Sequence, residues 1–382
     1  MEHEMEWSHI RALFPAAERY TYLNTAAAPP ISLLAAREGK RYYDEMAEHA
    51  DVAWDRWLSQ VEEVREKLAK FLHAEPRSIA FTYSTSHGMN LIAGILQHCG
   101  DVLCPADEFP SCTLPWLQQR YRVHFVRSRD CGVIDLEDVQ RSITAKTRIL
   151  VASYVQFATG FRQDLVSMGR LCRERKLIFV VDATQGMGVF PIDVVARNID
   201  FLVFSGYKWA QAGYGVGGLY IAPRFLDTNS LPVAGWWSVR DPEAVINDRL
   251  DLKETAAALE VGSPHFAGIF ALGGALALFE KIGAVQIEQR IHQLTDYLHQ
   301  RLDKEGLKIA SPRIRDQRSG ITIIEMRNTP EVVKSLVEKK IIVSARGKGL
   351  RVSVHVFNNF DDIDHLVAAL RGVSLPGHDS VE

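Results

Sequence analysis

Two short apolar runs near the middle of the chain, residues 177–181 and 201–204, are strong strand signals. Uninterrupted apolar runs of this length are typical of parallel strands that are buried on both faces. Polar side chains follow each run directly, beginning with Asp182 after the first and Ser205 after the second. Because the ligand crevice of an open α/β sheet lies beyond the carboxyl ends of its strands, we expect these side chains to face one cavity.

The rest of the hydrophobic pattern predicts strands and helices in alternation. Apolar side chains recur at helical spacing through residues 31–73. A strand that ends near residue 82 leads into a helix starting near His87, and residues 231–262 are irregular. We also predict strands at residues 148–154, 219–222, 320–326, 341–344 and 350–355, and helices at residues 165–175, 265–302, 330–339 and 360–370.

Length and composition indicate two domains. With 382 residues and a hydrophobic content of 47%, the chain can bury one large core and one smaller core. We predict a large domain at residues 20–262 and a small C-terminal domain at residues 263–382. An N-terminal arm, residues 1–19, is expected to pack near the small domain.

Charge and cysteine content narrow the choice of partners. The net charge of −3, with both signs interspersed, provides no basic stripe for nucleic acid and no polybasic patch for a membrane. The five cysteines form no CxxC pair, and the N-terminal segment lacks the basic start and apolar core of a signal peptide. We therefore expect a cytoplasmic protein with a small-molecule substrate and no metal site.

An aspartate and a lysine at neighbouring strand ends point to pyridoxal 5′-phosphate as a cofactor. The amine of Lys208 would form a Schiff base with the cofactor aldehyde, while Asp182 would keep the pyridine nitrogen protonated. In this hypothesis Gln185 neighbours the O3′ oxygen, and Ser205 is a further cofactor-binding candidate. Taken singly, Asp182 is equally typical of a helix cap, and Lys208 of a snorkelling surface residue.

A hydroxyl-rich turn before a predicted helix is a candidate phosphate site. Thr85 and Ser86 lie where helix N-terminal amides and the positive end of the helix dipole attract an anion. The alternative is that these hydroxyls are ordinary helix caps. His87 is either a residue at the pocket edge or a solvated residue of the first helical turn.

Several segments together carry a family resemblance: YLNTAAAPP, TYSTSHGMN, DEFPS, VVDATQ, SGYKW, EVGSPHF and LRVSVHVFN, in that order. The chain resembles the class-V aminotransferases, the fold-type-I pyridoxal phosphate family that includes cysteine desulfurases, kynureninases and isopenicillin N epimerases. The resemblance implies an α/β fold with a mainly parallel seven-stranded sheet between helices and a smaller C-terminal α/β domain. It also implies a homodimer.

The resemblance adds residues to the cofactor site. Thr85 and Ser86 match the family's phosphate-binding turn, and Phe109 matches the position where an aromatic ring stacks on the pyridine face. Ser263 matches a site that donates to the phosphate of the partner subunit, although the family usually has threonine there. A Ser-Pro pair is equally typical of a helix start.

Substrate contacts are also implied. Arg351 occupies the place where the family binds the substrate α-carboxylate, and a guanidinium fork holds a carboxylate in a fixed plane. Asn24 and Ala26 belong to the segment that lines the substrate side of the site. Gln156 follows a strand end that reaches the cofactor, close to Tyr154, where the family often has histidine.

We expect an enzyme that acts on an amino acid through a Schiff base, with transamination as the first hypothesis. A Cβ-lyase and an amino-acid epimerase are the alternatives, since the residues around Lys208 do not separate these reactions. A binding protein without turnover is disfavoured because Lys208, Asp182 and Arg351 are all retained. A nicotinamide dehydrogenase is excluded because the glycines at residues 213–218 precede a strand and not a helix.

Sulfur transfer is not expected. Cysteine desulfurases use a nucleophilic cysteine on a loop just before the arginine that binds the carboxylate. Here the corresponding interval, VSARGKGLR, contains no cysteine. Cys112 lies close to Phe109 along the chain, and we interpret it as a small buried residue.

Overall fold

The structure is a computed structural model that describes residues 6–226 and 231–371. The outer parts of the predicted arm and small domain, residues 1–5 and 372–382, lie outside the described residues. The helices are Trp7–Ala12 (α1), Ala16–Arg19 (α2), Leu33–His49 (α3), Trp54–Leu72 (α4), Thr85–Ile95 (α5), Leu114–Gln118 (α6), Leu136–Ser142 (α7), Leu165–Arg175 (α8), Phe266–Ile282 (α9), Ala284–Lys304 (α10), Thr329–Glu338 (α11) and Phe360–Arg371 (α12).

The strands form three sheets. They are Thr21–Tyr22 (β1), Ile79–Thr82 (β2), Asp101–Pro105 (β3), Val123–Val126 (β4), Thr147–Ser153 (β5), Ile178–Asp182 (β6), Phe201–Ser205 (β7), Gly217–Ile221 (β8), Ile321–Glu325 (β9), Ile341–Ile342 (β10), Ser344–Arg346 (β11) and Gly349–Ser353 (β12).

The main sheet has seven strands in the order β2-β8-β7-β6-β5-β3-β4. Strands β4, β3, β5, β6 and β7 are parallel neighbours, and β8 runs antiparallel to both β7 and β2. Every residue of β7 is buried, as expected for a strand covered by helices on both faces. The predicted fold class, with a mainly parallel seven-stranded sheet, is confirmed.

One predicted helix is divided in the structure, and a second stretch of helical periodicity contains two helices. The apolar pattern of residues 31–73 belongs to α3 and α4, which are separated by a turn at Ala50, whose φ is 52°. The predicted helix 265–302 breaks at Gly283, where a φ of 93° interrupts the helical path and bends α9 against α10 by 81°. The prediction of a single helix at residues 265–302 was therefore wrong, because turn geometry at one residue overrides apolar periodicity.

Two predicted element boundaries also shift. Helix α5 begins at Thr85, before the predicted start near His87, because the Ser84 side chain accepts a hydrogen bond from the His87 amide and caps the helix. The predicted strand 341–344 is two strands, β10 and β11, which belong to different sheets. A local side-chain cap decided the first boundary, whereas the second follows from pairing with different strands, β10 with β1 and β11 with β12.

The C-terminal part of the chain packs α10, α11 and α12 around the antiparallel sheet β11-β12-β9. The N-terminal helices lie against this part, because Arg11 Nη1 donates to Asp362 Oδ2 at 2.8 Å and the Phe14 and Phe357 rings are 5.0 Å apart. Strand β1 pairs with β10 in a parallel two-stranded sheet. The N-terminal segment of the described chain is thus joined to its C-terminal part by strand pairing as well as by side-chain contacts.

Helix α9 is the most apolar element, and most of its side chains are buried. Within the described residues, no single helix is both long enough and apolar enough to cross a bilayer. Helices α9 and α10 reach the required length and apolarity only as a pair, and that pair is sharply bent.

A buried ion pair ties α4 to the strand that leads into α5. Arg65 Nη1 donates to Glu260 Oε1 at 2.6 Å and to the Ile79 carbonyl at 2.9 Å. Glu260 Oε1 also accepts from the Phe81 amide at 2.7 Å. Glu260 and Arg65 therefore hold strand β2. Arg65 is the ion-pair partner of the buried Glu260 carboxylate, while Arg65 itself also pairs with Glu62.

We expect Arg65→Met to destabilise the protein by about 3–5 kcal/mol, because it leaves the Glu260 carboxylate buried without its counter-charge. Denaturant unfolding checks this value. Lys70→Met on the same helix is the control, since its partner Glu280 is solvent-exposed and such pairs contribute little. Equal effects of the two substitutions would contradict the assignment.

Candidate active site

A cleft opens where β5, β6 and β7 end, beside the start of α5. The cleft, counted together with its solvent-open mouth, takes in about 500 Å³. The strand register places Ser153 beside Asp182, and Asp182 beside Val203. The lining residues are Ser84, Thr85, Ser86, Phe109, Ser111, Ser153, Val155, Phe157, Asp182, Thr184, Gln185, Ser205, Tyr207 and Lys208.

Hydroxyl groups cluster at one end of the cleft, around the N-terminus of α5. The Thr85 amide donates to Ser205 Oγ at 2.9 Å, and the hydroxyls of these two residues are also 2.9 Å apart. Ser86 Oγ lies 2.8 Å from Ser111 Oγ. Together with the dipole of an 11-residue helix, these groups form a site suited to a phosphate.

Asp182 provides an acidic side chain to the same cleft. Its side chain is buried at the end of β6. The Thr184 amide donates to Oδ1 at 2.8 Å, and the Cys112 thiol donates to Oδ2 at 3.3 Å. The carboxylate is therefore held in one orientation by two donors on different loops.

Lys208 extends into the same cleft from the turn after β7. Burial lowers the pKa of Lys208 to about 8; the charges of Arg351 and Arg346 act in the same direction, and Asp182 opposes them. Its Nζ is 5.4 Å from the centre of the Phe109 ring. A buried amine with a lowered pKa is a nucleophile near neutral pH.

Phe109 and Gln185 are both held in place at the cleft. The Phe109 ring packs edge-on against Phe157 at 5.2 Å and remains 38% exposed. Gln185 donates from Nε2 to the Ala26 carbonyl at 3.1 Å and accepts from Trp209 Nε1 at 2.6 Å. Ala26 thus acts through its backbone, by orienting Gln185.

Arg351 comes to this region from the other sheet. It is almost fully buried in β12, where Nη1 donates to the Phe157 carbonyl at 3.0 Å and Nε to Ser344 Oγ at 3.2 Å. Burial lowers the pKa of Arg351 to about 10, and the neighbouring charge of Arg346 acts in the same direction. No hydrogen bond to Nη2 is found among the described residues, so one arm of the guanidinium remains for a ligand.

Besides Ala26 and Arg351, three predicted site residues do not line the cleft. Gln156 is used by its own turn, where its side chain accepts from the amides of Ala158 and Thr159 and donates to the Asp107 carbonyl. Asn24 pairs with the Ser353 backbone, and its buried Oδ1 has no partner within the described part of the chain. Ser263 is solvent-exposed on the rim of a separate cavity.

His87 lies on the rim of the same separate cavity as Ser263. Its Nδ1 is 3.3 Å from the Tyr83 amide, and its ring stacks on Tyr83. Burial lowers the pKa of His87. The side chain is therefore a pocket-edge residue, not a solvated one, although the pocket is not the Lys208 cleft.

Several polar residues of the site were not predicted: Cys112 as a donor to Asp182, and Glu108, Ser111, Ser153 and Thr184. Burial raises the pKa of Glu108 to about 7. Its carboxylate accepts from the Ser153 amide at 2.7 Å and also from the Ser153 hydroxyl. Local signals were present for Thr184, two residues after Asp182, and for Ser153, at the end of a predicted strand. Cys112, Glu108 and Ser111 lie in a segment that packs against the sheet from elsewhere in the chain.

The residues present fit pyridoxal 5′-phosphate. The hydroxyl cluster at α5 suits its phosphate, and Asp182 suits its ring nitrogen. The Phe109 ring supplies a flat face, and Lys208 supplies the amine. Among the described residues, no group of three or more His, Cys, Asp and Glu side chains could hold a metal ion.

Comparisons with known proteins point to one family. The family described as Aminotransferase class-V matches residues 21–366. A probable cysteine desulfurase of Pyrococcus abyssi is 29% identical over 332 residues, which cover 81% of this chain and 82% of the relative. An uncharacterized aminotransferase of Bacillus subtilis, YcbU, is 25% identical and the match covers 96% and 97% of the two chains.

A solved structure shows the same fold. The apo structure of a cysteine desulfurase from Thermococcus onnurineus NA1 superposes with a TM-score of 0.89 at 25% identity. The superposition covers 97% of this chain and 98% of the other. The chain therefore has the same fold as this solved structure.

The lowered pKa of Lys208 gives a test of the site's electrostatics. Because only the neutral amine attacks an aldehyde, capture of pyridoxal 5′-phosphate by cofactor-free protein should accelerate with pH through a midpoint of about 8, not 10.5. Arg351→Met removes a nearby positive charge and should move the midpoint upward. Stopped-flow absorbance across a pH series measures both midpoints.

Arg301→Met is the matched control, because Arg301 pairs with Asp364 on α12. Its midpoint should equal that of the unmodified protein. A midpoint near 10.5 in the unmodified protein would contradict the account of Lys208 given above.

Proposed function

The chain belongs to the class-V aminotransferase family, and from that premise we propose that it is an aminotransferase acting on an α-amino acid. Membership confirms the predicted family, the predicted enzyme class and pyridoxal 5′-phosphate as the cofactor. The specific reaction, the substrate and the role of each site residue are parts of the proposal.

The observation that supports this proposal is that Lys208 and Asp182 line one cleft, while the charge of Arg351, from a third element, acts on Lys208. Lys208 has a pKa of about 8, so near neutral pH it is available both to bind a carbonyl and to move a proton. Asp182 is buried and held by two donors. Arg351 offers a free guanidinium arm close enough to influence Lys208.

In this proposal each residue has one task. The bound cofactor supplies an electron sink that weakens the bonds at the substrate Cα. Thr85, Ser86 and Ser205 hold its phosphate, and Asp182 holds its ring nitrogen. Lys208 accepts the proton from the substrate Cα and returns a proton to the cofactor side.

The remaining side chains orient the reactants. Phe109 fixes the ring plane and excludes water from that face, while Gln185, held by Ala26 and Trp209, presents an amide hydrogen to the ring edge. Arg351 binds the substrate carboxylate through Nη2. Asn24 and Gln156 support neighbouring backbone in this arrangement and do not contact the substrate.

The hairpin before Arg351 favours transamination over sulfur transfer. Strands β11 and β12 pair directly, with Arg346 opposite Gly349, so only Gly347 and Lys348 form the turn. A turn of two residues has no length to carry a nucleophile over the cleft, and neither residue is a cysteine. We propose that this protein forms no persulfide on its own chain.

A Cβ-lyase is the second candidate. The observation that favours it is the name of the Pyrococcus abyssi relative, a probable cysteine desulfurase, since desulfurases also release a group from a cysteine side chain. An epimerase would use the same Lys208 proton transfer with return to the opposite face of Cα. Product analysis distinguishes all three.

The decisive experiment incubates the cofactor-loaded enzyme with a panel of amino acids and 2-oxo acids and identifies products by mass. We expect amino-group exchange, lowered on the order of a thousandfold in Lys208→Ala. Arg351→Ala should raise KM for α-amino acids by roughly tenfold or more while the cofactor's visible absorption is unchanged. Arg351→Lys, which keeps the charge without the fork, should recover only part of the loss.

Two results would contradict this function. Release of alanine from cysteine with a protein-bound persulfide would establish sulfur transfer. Exchange activity in Lys208→Ala equal to that of the unmodified enzyme would remove Lys208 from the chemistry.

We also propose that the protein is a homodimer. The exposed Ser263 does not line the cleft of its own chain, so its hydroxyl is available to the phosphate site of a second copy. Sedimentation at micromolar concentration should show a dimer, and Ser263→Ala should weaken cofactor retention by roughly tenfold or less, the loss of one hydrogen bond to an anion. A fully active monomer would contradict this assembly.

A further inference from the structure

The Cys112 thiol lies behind Asp182, on a loop that is not part of the β6–β7 region. Its sulfur is fully buried. Among the charged groups of the described residues, only Asp182 accepts a hydrogen bond from this thiol, through Oδ2 at 3.3 Å. Burial together with the charges of Asp182 and Glu108 raises the pKa of Cys112 well above its usual value. The thiol therefore keeps its proton and serves as a donor.

Counting hydrogens supports this direction of donation. Ser153 Oγ is 3.7 Å from Cys112 Sγ and is the other polar group beside the thiol. Ser153 gives its single hydroxyl hydrogen to Glu108 Oε2, and its amide donates to Oε1. Because Ser153 gives its hydrogen to Glu108, it does not donate to the sulfur. The thiol hydrogen goes to Asp182 Oδ2, which at 3.3 Å is nearer than Ser153 Oγ at 3.7 Å and belongs to a carboxylate.

We propose that Cys112 is a positioning residue, which orients the Asp182 carboxylate toward the cofactor's ring nitrogen together with the Thr184 amide. Each carboxylate oxygen then has one fixed donor, so the Asp182 plane cannot rotate when a ring arrives. The Ser153 hydroxyl is engaged by Glu108, so it does not donate to the sulfur in place of a hydrogen bond from the thiol. The inference rests on the proposed cofactor site, but it does not depend on which reaction the enzyme catalyses.

The test compares Cys112→Ala with Cys112→Ser. Alanine removes the donor and should weaken pyridoxal 5′-phosphate binding about tenfold, the size expected for one hydrogen bond to a charged group. Serine restores a donor and should bind the cofactor within about threefold of the unmodified protein. Quenching of intrinsic fluorescence gives the dissociation constants, and the ¹⁵N chemical shift of labelled cofactor reports on its ring nitrogen.

Controls separate orientation from packing. Cys104→Ala removes another fully buried thiol in the same apolar cluster and should leave the cofactor affinity and the ¹⁵N shift unchanged. Cys112→Val fills the space without a donor, and it replaces the alanine variant if that variant does not fold. The valine variant should bind as weakly as expected for alanine.

Three outcomes have clear meanings. The inference is supported if Cys112→Ala or Cys112→Val binds pyridoxal 5′-phosphate weakly and shows a displaced ¹⁵N chemical shift, while Cys112→Ser recovers both the affinity and the shift. Equal binding by all variants, or equal loss in Ser and Val, overturns it. Failure of the unmodified protein to bind pyridoxal 5′-phosphate would instead refute the cofactor site itself.

Discussion

The site depends on the register of three parallel strands that end at the same edge of the sheet. Ser153 of β5, Asp182 of β6 and Ser205 of β7 are the last residues of their strands. Neighbouring parallel strands are about 4.8 Å apart, so side chains at adjacent ends reach one another without any loop having to close. A register shift of one residue would turn Asp182 to the other face of the sheet.

Burial then gives these groups their chemistry. Lys208 and Glu108 are both removed from water, and in each case burial is the largest cause of the pKa shift, downward to about 8 for the amine and upward to about 7 for the carboxyl. Both groups therefore change charge close to neutral pH. A lysine and a glutamate exposed to water would change charge far from neutral pH, near their ordinary pKa values.

The far ends of the chain complete the cleft. Arg351 belongs to β12, yet it donates to the Phe157 carbonyl of the main-sheet side. The Ala26 amide donates to Ser353 Oγ of the same strand, and the Ala26 carbonyl accepts from Gln185. Strand β12 is thus joined to Gln185 and to Phe157 by hydrogen bonds between side chains and backbone groups. These bonds couple the position of the small C-terminal sheet to that of the cleft.

The sequence by itself determined the parallel strands, the fold class and the residues at the strand ends. Apolar runs followed at once by Asp182 or by Ser205 and Lys208 carry that information locally, since side chains at the ends of parallel strands share one edge. The position of the hydroxyl-rich turn at Thr85 and Ser86, at the start of a helix, was also predictable, because such a helix start is a local signal.

Tertiary structure alone decided the rest. Cys112 donates a hydrogen bond to Asp182 because a segment distant in sequence packs against the sheet. The Gln156 side chain accepts a hydrogen bond within its own turn. The break at Gly283 lies inside a continuous apolar pattern, since periodicity records which faces are buried and not where the backbone turns. The apolar pattern of a sequence indicates which positions are buried. The hydrogen-bond partner of a buried polar atom depends on which distant segments pack against it.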